Sequence, residues 1–182
     1  MKSYDELLSL IVDRREQVER FEQYLKMTDW RHAPASGKHH NNYAGGLVQH
    51  SVNVTNNLLT LKNALYPVLS DESCVIVGLY HDAGKAGLPD MPYYIPQTND
   101  WRVRNLNEKY INNNKFLHID VPTISLYSLL PYVTLYPEEV QAIRFHDGQY
   151  VDNNHSVALK ECPLTLMVHW ADIWASQVME KK

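Results

Sequence analysis

Cysteine is scarce in these 182 residues: Cys74 and Cys162 stand far apart in apolar segments, without C-x-x-C spacing. That excludes a cysteine-based framework and reads as two reduced core thiols of a cytosolic protein. An excess of basic charge is missing too. Lys and Arg total 17 against 21 Asp and Glu, a formal net charge of −4. Long nucleic acid is gripped by neutralising many phosphates, so that class is set aside while a small nucleotide is not. No apolar run approaches the length of a membrane span. The opening MKSYDELLSLIVDRRE has charges on both sides of a short apolar patch and no cleavage-like site, so no signal peptide and a cytoplasmic location are expected. Repeats and low-complexity tracts are absent as well. With 45% hydrophobic and 21% charged residues, the chain has the balance of a soluble globular protein and the length for one domain, 1–182.

Periodicity predicts an all-α chain. Tyr4, Leu7, Leu8, Ile11, Val18, Phe21 and Leu25 fall at helical spacing among charges, giving one amphipathic helix over residues 3–27. A Pro-, Gly- and Asn-rich loop follows at 28–46. Helices are then expected over 47–65, 71–82, 117–131, 137–147 and 163–179. The fifth carries Pro137 at its first position, Glu in its first turn and Gly148 just past its end. Residues 86–116 break the pattern. This polar, Pro- and Asn-rich insertion has YYIPQ and WRVR pieces that could pair as a short hairpin.

The dipeptide His81-Asp82, in GLYHDAGK, follows an apolar helix, and burying it costs free energy unless each side chain finds a partner. Other His and Asp residues have similar placements. His50 lies among Val48, Val52 and Val54, His118 opens the fourth predicted helix, His146-Asp147 closes the fifth, and Asp172 sits within HWADIWAS. Any one of these taken alone is more often a hydrogen-bonded core or helix-end residue than a ligand. Together they suit a transition-metal site, with Mn, Fe, Co, Ni or Zn favoured over Mg. A metal would satisfy the buried His-Asp pair.

The order His50, then His81-Asp82 in H-D-x-G-K, then Asp172 closely resembles the signature of the HD superfamily of metal-dependent phosphohydrolases. HHNNYAGGLVQHS and LMVHWADIWA resemble its first and last motifs in phage and bacterial members, and the likeness spans roughly 38–178. His118 and His146 resemble the extra ligands of the two-metal branch, which includes bacterial 3′–5′ exoribonucleases and the nuclease domains of CRISPR helicases. Many two-metal members have His-His where this chain has His146-Asp147, so Asp147 could ligate or that slot could be empty. The resemblance implies an HD helical bundle. It also implies a first metal on His50, His81, Asp82 and Asp172, and a second that Asp82 bridges to His118 and His146. Hydroxide from a metal-bound water would attack phosphorus. Lys85 would neutralise a phosphate oxygen, its bland alternative being a solvated lysine at a helix end.

His169, one turn before Asp172, could orient it or simply pack. His39 and His40 read as loop residues at the entrance, and His32 and His155 as surface residues. The insertion interleaves Tyr93, Tyr94, Trp101 and Tyr110 with Arg102, Arg104, Lys109 and Lys115. Tyr94, Trp101, Arg102 and Arg104 could therefore form a nucleotide lid, or an aromatic flap packed on its own domain. The function expected is hydrolysis of a phosphomonoester or phosphodiester, with a nucleotide or short oligonucleotide as substrate. The alternatives are a mixed-valent di-iron oxygenase on the same ligand set, and a non-catalytic nucleotide-binding module.

Overall fold

The computed structural model describes residues 1–181. It is mostly helical, with one two-stranded antiparallel sheet among the described residues. The N-terminal helix expected over 3–27 is instead two, α1 (Tyr4–Leu8) and α2 (Arg15–Leu25). A distant carboxylate explains the break. Glu72 accepts the backbone N–H groups of Val12, Asp13 and Arg14 at 3.2, 3.0 and 3.0 Å. Those donors are satisfied from outside, so the chain turns there instead of continuing as helix.

Helix α3 (Gly46–Leu65) begins where the backbone passes the Asn41 carbonyl so closely that a Cβ on Gly46 would lie 2.0 Å from its oxygen. Ser70 caps α4 (Asp71–Tyr80) by accepting from the Ser73 N–H. The two helices pack at Gly78, where a Cβ would meet Thr55 Oγ1 at 2.6 Å. The α-helical bonding of α4 ends two residues before the expected 82. His81 is its cap, and a 3-10 turn over Ala83–Ala86 follows.

In the insertion, β1 (Tyr94–Pro96) pairs with β2 (Tyr110–Asn112), Ile95 opposite Ile111. The YYIPQ half of the expected hairpin is a strand, but WRVR is not. It lies in α5 (Asp100–Leu106), because Asn99 caps that segment by accepting from the Arg102 N–H and Asn107 ends it at φ +52°. Asp120 likewise caps α6 (Val121–Leu129), leaving Leu117 and His118 outside the helix expected from 117. Helix α7 (Pro137–Phe145) opens on Pro137 and is followed by short 3-10 turns at Gly148–Tyr150 and Asp152–Val157. Helix α8 (Pro163–Trp174) runs into a wide π turn over Ala175–Met179.

Helices α3, α4, α7 and α8 share one core in which Leu47, Leu58, Ile76, Leu79, Ile143 and Val168 are fully buried. Cys74 is buried, and that burial pushes its thiol pKa up to about 12; Cys162 is half-buried rather than core, and both are unpaired. No helix of the described residues is long and apolar enough to cross a membrane.

Candidate metal centre

The chemistry-bearing residues come from the middle of α3, the end of α4, the end of α7 and the body of α8. His50, His81, Asp82 and His146 are buried, and Asp172 is largely so. Their donor atoms form overlapping trios: His50, His81 and Asp172; His81, Asp82 and His146; and His146, Asp147 and Asp172. Within each trio the atoms lie within 4.8 Å of one another. Because the trios share members, the donors surround one compact volume.

Local geometry aims the rings inward. His81 Nδ1 donates to the Gly78 carbonyl at 2.9 Å and His146 Nδ1 to the Ile143 carbonyl at 2.8 Å. A carbonyl only accepts, so Nδ1 carries a proton and Nε2 is the ring atom turned into the site. The turn after His81 is fixed by Gly84, whose N–H donates to Ser125 Oγ at 2.8 Å. A Cβ there would lie 2.5 Å from the Val121 carbonyl oxygen. That answers why the HD pair is followed by A-G-K: the backbone presses against the start of α6, and Lys85 folds back to hold Asp82 Oδ2 at 2.6 Å.

The donor set fits a cation. Nε2 of His50 and of His81 are buried without a hydrogen-bond partner. His50 Nε2 does lie 3.1 Å from Asp172 Oδ1, close enough for ionic attraction but without hydrogen-bond alignment. An orphaned buried polar atom costs about 1–3 kcal/mol, which coordination would remove. Imidazole and carboxylate donors together suit Mn, Fe, Co, Ni or Zn.

The field of the site is equally uneven. Burial opposes charge on His50, but Asp172 and Glu180 outweigh it and raise its pKa to about 9. Burial is likewise outweighed at His146, chiefly by Asp82 and Asp147, and its pKa also rises to about 9. His81 goes the other way, lowered to about 4 by burial. Burial would raise Asp82, yet Lys85 and His81 hold it well below the usual carboxylate range. Carboxylates strong enough to keep protons on buried imidazoles are strong enough to attract a cation to the same place.

Not every expected residue is here. His118 is exposed in the loop before α6 and belongs to none of the trios. Its expected place at a helix start fails because Asp120, the better cap, starts the helix later. Asp147 does reach the site, with Oδ1 3.6 Å from His146 Nε2, since α-helical bonding has ended by then and Gly148 sits at φ +70°. His169 braces the end of α7 by bonding the His146 carbonyl with Nδ1 at 2.8 Å. Tyr94 is half-buried and close enough to Lys85 and Asp82 to feel their charges. The other lid candidates turn outward. Trp101 is 63% exposed, Arg102 is paired with Glu108, and Arg104 lies 3.8 Å from Asp100.

Sequence reasoning missed Glu180 and underrated His40. Glu180 is buried with Oε2 3.0 Å from His50 Nδ1, and the His40 ring lies 4.9 Å from the His50 ring. The second His of K-H-H-N was a visible signal. The string MEKK gave none for Glu180. A cavity of about 270 Å³, lined in part by Lys38, His40, Asn42, Gln177 and Glu180, opens on this side.

Comparison with protein-family models, with curated proteins and with solved structures finds no match. Fold and site together define a helical protein with a buried His/Asp/Glu group that could hold metal ions.

Proposed function

We propose that this chain is a metal-dependent phosphohydrolase of the HD type. Its substrate would be a phosphomonoester or phosphodiester of a nucleotide or short oligonucleotide, met in the cytoplasm. The observation that carries the reading is the placement of Asp82. Its Oδ2 faces His50 and His81, with Nε2 atoms at 3.7 and 3.6 Å, while its Oδ1 faces His146 Nε2 at 3.5 Å. A carboxylate with imidazoles facing both of its oxygens would suit more than one cation, with Asp172 and Asp147 as further ligands. Divalent ions bound there would supply hydroxide at neutral pH and polarise the phosphoryl group.

The chain's own residues do the rest. Lys85 stays protonated beside Asp82, and in this reading its ammonium would meet a non-bridging oxygen as charge develops on phosphorus. Asp147, at 45% side-chain exposure, marks the side open to solvent. Tyr94, near enough to Lys85 to feel its charge, would offer an aromatic face to a base.

The test is metal analysis of the purified protein beside an assay panel of phosphate monoesters, diesters and nucleotides with Mn, Co, Ni and Mg. Asp82→Ala should lose bound metal and turnover together, and full retention of both would sink the reading. Two irons with a mixed-valent EPR signal and oxygen consumption would instead favour the oxygenase.

A further inference from the structure

We propose that Glu180 is the positioning residue for His50, so that the metal centre is completed by the turn that follows α8. The proposal rests on the metal-binding reading above. The three inward-facing imidazoles do not have equal means of being held. His81 and His146 cap their helices, where carbonyls no longer used by the helix are at hand, and each bonds the one three residues back. His50 is in the interior of α3, where the backbone carbonyls are occupied by the helix's own bonds. Its Nδ1 takes its acceptor from another element. Glu180 Oε2 supplies it at 3.0 Å.

Glu180 is itself fixed. Asn53 Nδ2 donates to its other oxygen at 2.7 Å, and Gln49 Nε2 donates to Asn53 Oδ1 at 3.0 Å, so one face of α3 carries both the ring and the group that holds its partner. The wide turn explains how a residue eight positions after Asp172 reaches the same ring. On a regular helix, eight residues leave two side chains roughly 80° apart. The π turn over Ala175–Met179, closed by the Glu180 N–H on the Ala175 carbonyl at 3.0 Å, advances less per residue and rotates Glu180 back. Asp172 then meets Nε2 and Glu180 meets Nδ1 of one imidazole. Burying a carboxylate is costly, and a helix end with no task at the site would leave it in water. A carboxylate on the far nitrogen of a ligating imidazole fixes the ring's orientation and raises its basicity.

The test is Co²⁺ titration into the metal-stripped full chain, followed by the visible spectrum and by chelator competition. Wild type, Glu180→Ala, Glu180→Gln and His50→Ala are compared, with thermal melting of each metal-free protein. His50→Ala should abolish the tight site. Glu180→Ala should weaken Co²⁺ 10- to 100-fold, with a modest fall in metal-free melting because His50 Nδ1 and Asn53 Nδ2 lose their buried acceptor. Glu180→Gln keeps an acceptor oxygen and should recover part of the loss. Wild-type affinity in Glu180→Ala, with the site lost in His50→Ala, overturns the positioning role and leaves the metal reading intact. No Co²⁺ bound by wild type removes both. If Glu180→Ala does not fold, Asn53→Ala loosens Glu180 without removing it and must weaken Co²⁺ in the same direction; unchanged affinity there overturns the role.

Discussion

Lys85 and Asp82 form the tightest ionic contact of the centre, at 2.6 Å, and they would fail differently. Lys85→Ala removes a cation and leaves every donor atom, so bound metal should be unchanged. Turnover of phosphate esters should fall about a hundredfold, the roughly 3 kcal/mol that one donor to transition-state charge provides. Unchanged kinetics at saturating metal would reduce Lys85 to a partner for Asp82. On the other side of Asp82, His146 is buried with Nε2 3.5 Å from Oδ1, whereas Asp147 is nearly half exposed. His146→Ala should therefore cost more metal and activity than Asp147→Ala, and His118→Ala should cost neither, because His118 stands in solvent. Loss of one equivalent of metal in His118→Ala would mean that the loop before α6 swings in. His50, His81, Asp82, His146 and Asp172 were legible in the sequence because each is a polar residue on or at the end of a helix with an apolar face, a pattern that is costly without a purpose. Glu180 was not, because a change of helical pitch brings it inward and no residue type announces a π turn.

At the scale of elements, the turn Ala83–Ala86 sets the site and Gly84 sets the turn. A methyl group there would meet the Val121 carbonyl at 2.5 Å and the Ser125 backbone nitrogen at 3.0 Å, atoms that cannot rotate away. Gly84→Ala should lower stability by about 1–3 kcal/mol, read as an earlier urea midpoint. It should also reduce turnover, because the displaced turn carries Asp82 and Lys85 with it. Wild-type stability and turnover would show that α6 yields easily. Helix existence was readable from 3.6-residue periodicity, as α3, α7 and α8 show. The break between α1 and α2 was not, since its cause is Glu72, some sixty residues away. The hairpin was half readable for a related reason. Tyr94–Pro96 has strand-like residues, but its partner is set by the cap at Asn99, which turns the intervening Trp-Arg-Val-Arg into helix.

At the scale of the whole molecule, Arg14 ties three parts of the chain together. Its guanidinium bonds Glu72 at the start of α4 at 2.8 Å, and holds both oxygens of Glu139 at the start of α7 at 2.7 and 2.8 Å. All three side chains are buried, and Glu72 also carries the turn between α1 and α2. Helices α4 and α7 each end in a metal-ligand candidate, His81 and His146, so this network anchors the opposite ends of the two helices that carry them. Burial would raise the Glu72 carboxyl, but Arg14 and the backbone donors outweigh it and hold it below the ordinary 4.5. A carboxyl depressed in the folded state adds stability above its unfolded pKa and loses it as pH falls through the folded value. Glu72→Gln should therefore be less stable than wild type by about 1–2 kcal/mol at neutral pH, because Arg14 keeps its bonds to Glu139 and loses only the charge on one side. That gap should hold down to about pH 4.5 and narrow below it as wild-type Glu72 takes up its proton. Urea unfolding of both metal-free proteins across this range measures it. A gap that persists undiminished at the acid end would assign the loss to the shape of the side chain and its N–H acceptors, and the charge of the network would then contribute nothing to joining the two helices.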